Sequence, residues 1–116
     1  MAKRHELMKD SIASLLLSLI AQQPMYGYQI LKELGRRSEG YFEFKEGTLY
    51  PVLHRLEQAG LILGKWQVLP SGRHRKYYTI TAKGHYALEE KRSQWEDFLA
   101  AMNLIIQPRV LERWER

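Results

Sequence analysis

The most concentrated chemistry in this sequence is positive charge. Gly72-Arg73-His74-Arg75-Lys76 puts three permanent cations within four residues, and guanidinium and ammonium groups bunched this closely suit phosphate oxygens. Lys45, Thr48 and Tyr50, with Tyr28 and Gln29 earlier in the chain, add a charge, hydroxyls and an amide that can bind the same kind of anion. His54 and Arg55 carry donors that match base edges, although Arg55 could equally be held in an ion pair with Glu57. Catalytic chemistry is poorly supplied by comparison. The four histidines, His5, His54, His74 and His85, are scattered, the only aspartates are Asp10 and Asp97, and cysteine is absent. That removes thiol nucleophiles, thiolate zinc sites and disulfides together. Neither a His-x-x-x-His pair, nor a Gly-x-Ser-x-Gly elbow, nor a glycine-rich phosphate loop occurs. We therefore expect no enzyme, no metal and no cofactor, and Glu89-Glu90 and Glu96-Asp97 read as a solvated helix face.

The charge is also unevenly placed. Residues 1–80 hold 12 Lys/Arg against 7 Asp/Glu, whereas residues 81–116 hold 6 of each, so the whole net charge of +5 lies in the first part. A basic segment joined to a neutral one suggests a polyanion as partner for the first and protein for the second. At 116 residues and 45% hydrophobic content the chain can build one modest core. Its longest apolar stretch, Ile12 to Ala21, is interrupted by Ser14 and Ser18 and is too short to cross a bilayer. No membrane partner and no export signal are expected, and the expected compartment is the cytoplasm.

Hydrophobic spacing supplies the elements that must carry these residues. Leu7, Met8, Ile12, Leu15, Leu16, Leu19 and Ile20 predict a first helix, stopped by Gln22-Gln23-Pro24. A second helix is predicted from about Gly27 to Ser38, with Ile30, Leu31 and Leu34 inward, before Glu39-Gly40 breaks it. Tyr41-Phe42-Glu43-Phe44 reads as an aromatic connector. A third helix from about Glu46 to Gln58 buries Leu49, Val52, Leu53 and Leu56, and Gly60 closes it. Pro51 requires that helix to start close to Glu46 or Gly47. The period then changes to that of strands over Leu61 to Leu69 and Lys76 to Ile80, joined by the turn Pro70-Ser71-Gly72-Arg73. Thr81 stands where an N-cap belongs, ahead of a helix from about Ala82 to Gln107. Leu88, Trp95, Phe98, Met102 and Ile105 form a heptad-like seam on it, flanked by Leu99 and Ile106 and interrupted by Lys91. The tail from Arg109 to Arg116 has room for one further helical turn.

Three helices, a hairpin and a long final helix define a mainly α fold of the winged helix-turn-helix type. Residues 1–80 form the winged part and residues 81–116 a C-terminal dimerisation helix and tail, compact enough to count as one domain. Packing of the third helix leaves Gly47, Pro51, His54 and Gln58 on its outer face, flanked by Thr48, Tyr50 and Arg55, a surface of the width that fits a DNA major groove. The hairpin tip is then a wing on the phosphate backbone or in the minor groove, with Arg73 and Arg75 as its first ligands and Lys76 beside them. Tyr26 is expected to pack against the third helix.

Three motifs in this order resemble the PadR-type transcriptional regulators. Pro24-Met25-Tyr26-Gly27-Tyr28-Gln29-Ile30 is similar to the family's signature at the start of its second helix. Gly47-Thr48-Leu49-Tyr50-Pro51-Val52-Leu53-His54-Arg55-Leu56-Glu57, continuing to Gly60-Leu61-Ile62, resembles its recognition helix. Gly72-Arg73-His74-Arg75-Lys76-Tyr77-Tyr78, then Ile80-Thr81 and Gly84, resembles its wing and the cap of its last helix. The resemblance implies a homodimeric repressor on a pseudo-palindromic operator in double-stranded DNA, released by a small aromatic or hydrophobic effector. It also implies the small branch of the family, in which the paired C-terminal helices can enclose a pore. Trp95, Phe98, Leu99 and Met102 would line that pore or a dry interface, Trp95 being either a stacking platform or interface core. Glu46 departs from the family pattern, which often has proline there. It either caps the helix dipole or reads a cytosine amino group. An architectural or RNA-binding winged helix without effector control is the competing reading.

Overall fold

A computed structural model of the chain describes residues 2–106, with side chains described from residue 11 onward. Four helices and a small sheet follow in the order α1 (Ala2–Gln22), β1 (Met25–Tyr26), α2 (Gly27–Arg37), α3 (Glu46–Gln58), β2 (Ile62–Val68), β3 (His74–Ile80) and α4 (Ala82–Ile106). The fold is thus mainly helical with a three-stranded antiparallel sheet, ordered β1-β3-β2. Leu7, Met8, Gln107, Pro108 and the tail from Arg109, for which the sequence predicts inward packing, a helix end and a final turn, lie outside these described side chains and residues.

The apolar stripes read from spacing meet in one core. Ile12, Leu16, Leu19 and Ile20 of α1, Ile30 and Leu34 of α2, and Leu49, Val52, Leu53 and Leu56 of α3 are all buried, together with Met25, Ile62, Tyr78 and Leu88. Leu17, which lies off the expected stripe, is buried as well, because α1 packs against α2, α3, β3 and α4 and has little free perimeter. The connector after α2 alternates as its sequence does: Phe42 and Phe44 pack on the core and Tyr41 faces solvent.

Each helix end has a local cause. The α3 end is closed by Gly60 at φ +77°, with Leu61 N–H donating to the Leu56 carbonyl at 3.0 Å and Gly60 N–H to the Glu57 carbonyl at 3.0 Å. The same pattern ends α2, but there the left-handed position is held by Glu39, at φ +53°. Pro51 is placed farther in than the first turn, as the sixth residue of α3. Its missing N–H deprives the Gly47 carbonyl of a helical donor, and both residues lie on the exposed face, where solvent substitutes.

The hairpin has seven cross-strand pairs, from Ile62 opposite Ile80 to Val68 opposite His74. Its turn is closed by Gly72 N–H on the Leu69 carbonyl and Leu69 N–H on the Arg73 carbonyl, both at 2.8 Å, with Gly72 at φ +87°. The third strand, β1, is an element the spacing does not announce. Met25 pairs with Tyr78 and Tyr26 with Tyr77. Thr81 caps α4 as expected, its Oγ1 accepting from Gly84 N–H at 3.0 Å while donating to the Gly60 carbonyl at 2.6 Å.

Candidate nucleic-acid interface

Packing determines which side of α3 is available. With Leu49, Val52, Leu53 and Leu56 buried, the residues Gly47, Thr48, Tyr50, Pro51, His54, Arg55 and Gln58 are all exposed, as the sequence requires. Lys45, at the N-cap position, and Glu46, in the first turn, are exposed beside them, and neither Lys45 nor any neighbouring side chain caps the helix by a hydrogen bond. The Thr48 N–H already donates to the Lys45 carbonyl at 2.9 Å, so only the amides ahead of it are left for an anion, between the Lys45 ammonium and the Glu46 carboxylate.

Tyr50 joins this face to α2. Its hydroxyl and ring edge occupy the space where a Cβ on Gly27 would stand, which gives a packing reason for glycine in the Met-Tyr-Gly-Tyr segment. Tyr28, one residue on, is exposed with Lys32 Nζ 5.5 Å from its ring centre, whereas Gln29 is half-buried. Tyr26, expected against α3, shares the groove described next with Tyr50 of that helix; it also meets Tyr77 edge-on, ring centres 5.4 Å apart, and carries the Arg75 guanidinium 3.9 Å from its own ring centre. The cause is β1, whose pairing to β3 turns Tyr26 toward the wing.

A groove of about 420 Å³ results, bounded by the start of α2, Tyr50 and the hairpin, and lined by Tyr26, Tyr28, Tyr50, Trp66, His74, Arg75, Lys76 and Tyr78. Four predicted residues, Tyr28, Tyr50, Arg75 and Lys76, thus meet in one place. Thr48, His54 and Arg55 lie outside it on the open face of α3, and Arg73 and His74 are exposed near the turn. Trp66, which the sequence reading passes over, is 66% exposed and stands opposite Lys76 in the register. A tryptophan two residues from a strand end, between Lys65 and Gln67, is the signal that could have found it.

One ion pair borders the groove and a second lies away from it on α2, where Glu33 and Arg37 line a separate cleft against α1. Glu57 accepts from Lys76 Nζ at 3.0 Å and from the Gly64 N–H at 3.3 Å. The lysine hydrogen bond holds the Glu57 carboxyl below its ordinary range, and the same bond raises Lys76. Arg55 is therefore not the partner of Glu57, because residues two apart on a helix point to different faces. On α2, Arg36 grips Glu33 through two nitrogens, at 3.0 and 2.8 Å, and Arg37 adds a third bond at 2.8 Å. These bonds lower the Glu33 carboxyl to about 2.

The C-terminal helix presents two further features. Trp95 is half-buried, meets Phe98 edge-on at 5.7 Å, and borders a cleft of about 320 Å³ with Ser11, Ser14, Leu15, Ser18, Phe42, Leu88 and Arg92. Of the four residues predicted to line a pore, only Trp95 borders this cleft. Its other wall comes from α1 and Phe42, which spacing along α4 cannot reveal. Phe98, Leu99 and Met102 are exposed and continue into Leu104, Ile105 and Ile106, with Ile105 83% exposed. Among the described residues no group of three His, Asp or Glu side chains is placed to hold a metal, and no helix is long and apolar enough to cross a membrane.

Three helices with a hairpin beside the third, and a long helix leaving the base of that hairpin, define a winged-helix protein. Residues 16–90 match the transcriptional regulator PadR-like family, and the chain belongs to that family. It is 34% identical over 92 residues to a transcriptional regulator of Mycobacterium tuberculosis, covering 79% of this chain and 82% of that one. Its fold is similar to a PadR-like transcriptional regulator of Bacillus cereus, with a TM-score of 0.77 at 31% identity, covering 88% of this chain and 97% of the other. A transcriptional regulator of Clostridium thermocellum gives a TM-score of 0.79 at 27% identity, covering 88% and 96%. These relatives are regulators of transcription rather than enzymes.

Proposed function

We propose that the protein is a homodimeric, sequence-specific DNA-binding repressor whose two α3 helices enter successive major grooves of a pseudo-palindromic operator. The observation that carries this reading is the continuous exposed face of Thr48, Tyr50, His54 and Arg55 beside a basic wing, on a helix whose opposite face is fully packed. Lys45, Thr48, Tyr50, Tyr28 and Gln29 contact phosphates, His54 and Arg55 read base edges, and Arg73 and Arg75 hold the backbone or minor groove. The two copies meet along α4, where Phe98, Leu99, Met102 and Ile105 offer an apolar stripe that one chain alone leaves in water.

Release is assigned to a flat aromatic or hydrophobic effector stacked on Trp95 in the cleft between α1 and α4, a contact worth about 0.5–1.5 kcal/mol beyond burial. Such a ligand shifts DNA affinity only by the difference in its own affinity for the two states. Selection of duplexes from a random pool, followed by fluorescence anisotropy across a salt series, tests the reading. A regulator enriches an inverted repeat with half-sites about 34–36 Å apart and prefers it to random duplex by roughly a thousandfold. Equal affinity for every duplex would instead establish an architectural winged helix.

A further inference from the structure

The basic run at the hairpin contains three permanent cations, but their surroundings differ. Arg73 is exposed, and Arg75 has its guanidinium carbon 3.9 Å from the Tyr26 ring centre and lines the groove. The ammonium group of Lys76 is already engaged. It is 3.0 Å from Glu57 Oε1 and lies 5.9 and 5.5 Å from the ring centres of Trp66 and Tyr78, and the two side chains of the ion pair are only 27% and 28% exposed. The lysine stem crosses the sheet above Gly64, where any Cβ would overlap Lys76 Cε. The second oxygen of Glu57 takes the Gly64 N–H at 3.3 Å. One carboxylate in the last turn of α3 thus holds both strands of the hairpin, β2 through a backbone amide and β3 through a lysine.

We propose that Glu57, Lys76 and Gly64 form a positioning tie that sets the angle of the wing against α3, and that Lys76 serves this tie rather than a phosphate. The inference rests on the DNA-binding reading above and deepens it. Arg73 lies three residues beyond Lys76, about 10 Å along the strand, so freedom at the root of the hairpin becomes displacement of the cations at its tip. Each wing accordingly delivers two phosphate ligands, not three.

Charge reversal separates the two roles of Lys76. In full-length protein, Glu57→Lys and Lys76→Glu are each expected to weaken binding to the wild-type-selected duplex at least tenfold, and the double variant to return to within about threefold of wild type. A phosphate ligand would leave the double variant as weak as Lys76→Glu alone, and that result would overturn the proposal. So would single variants that bind within twofold of wild type. Amide hydrogen exchange at Gly64 and along β2 and β3 supplies an arm independent of DNA: exchange should speed up in both single variants and slow again in the swap. If wild type prefers no duplex, the repressor reading fails while the exchange arm still tests the tie. Should a reversed variant not fold, Glu57→Gln serves in its place, since it keeps an acceptor for Gly64 and loses only the charge. Unchanged exchange in Glu57→Gln would count against the proposal.

Discussion

Gly84 and Gly35 allow one substitution to be tested in two surroundings, with opposite outcomes expected. Gly84 is buried in the first turn of α4, and a Cβ there would strike the Leu61 carbonyl oxygen, with Ile80 Cγ1 at 2.7 Å and the Leu61 carbonyl carbon at 3.1 Å. Leu61 is backbone fixed by its own bonds: its N–H donates to Leu56, and its carbonyl accepts from Thr81 N–H at 3.0 Å. It cannot turn aside as a side chain would. Overpacking of this kind costs about 1–3 kcal/mol, and a backbone obstacle puts Gly84→Ala near the upper end. Alanine returns at most about 1 kcal/mol in helix propensity, so the net loss is about 2 kcal/mol. With an unfolding entropy of about 2.1 cal/mol/K per residue over this chain, that is a fall in Tm of roughly 8 °C. At Gly35 in α2 nothing lies within 4 Å of the added carbon, and Gly35→Ala should stabilise by about 0.5–1 kcal/mol. Urea unfolding at two protein concentrations measures both while accounting for association. A Gly84→Ala variant as stable as wild type would refute the claim that α4 is seated immovably on Leu61.

Three further outcomes are expected. Glu39→Gly should raise stability by about 1 kcal/mol in the same urea titration, because it relieves a left-handed backbone on a residue with a Cβ. Arg73→Ala and Arg75→Ala should each reduce the slope of log affinity against log salt by about 0.9, and an unchanged slope would remove that residue from the phosphate contacts. Protonation of Glu57 should loosen the hairpin root. Its carboxyl is lowered from 4.5 by Lys76 first and by the Gly64 amide and His54 as well, so its contribution is present above the ordinary carboxylate pKa and is lost as pH falls through the lower folded value. Lys76 is raised from 10.5, so its half is complete below that value and disappears only as pH rises above it. Exchange of the Gly64 amide, corrected for intrinsic rate, should therefore speed up in wild type only at a pH below the ordinary carboxylate range and show no such step in Glu57→Gln.

Much of the architecture was legible because it depends on local chemistry. The α3 limits follow from the Leu49, Val52, Leu53 and Leu56 spacing and the Gly60 stop, and the start of α4 from Thr81. The exposed face of α3 was legible for the same reason, since burying one helix face determines the other. Whatever depends on distant partners was not. β1 is two residues long and has no period, so only its pairing with Tyr77 and Tyr78 makes it a strand. The contacts of Tyr26 with Tyr77 and Arg75 were hidden for that reason. Lys76 looked like one more solvated cation in a basic run, because its carboxylate partner lies 19 residues earlier on another element. The cleft at Trp95 takes its other wall from α1, about 80 residues away in the chain.

The weld between α3 and α4 has a mechanical consequence. Thr81 bonds the Gly60 carbonyl, Lys83 Nζ reaches the Ala59 carbonyl at 2.9 Å, and Gly84 abuts Leu61, so the two helices turn together or not at all. The 25 residues of α4 extend about 37 Å from that joint. A helix this long is the arm of a lever, and a tilt of about 5° at one end sweeps roughly 3 Å at the other by this length. That is close to the rise of a single base pair, about 3.4 Å. In the proposed dimer a ligand wedged near the arm would not need to deform either reading head. It would only need to change the angle between two stiff arms, and each operator half-site would then be met one step out of register.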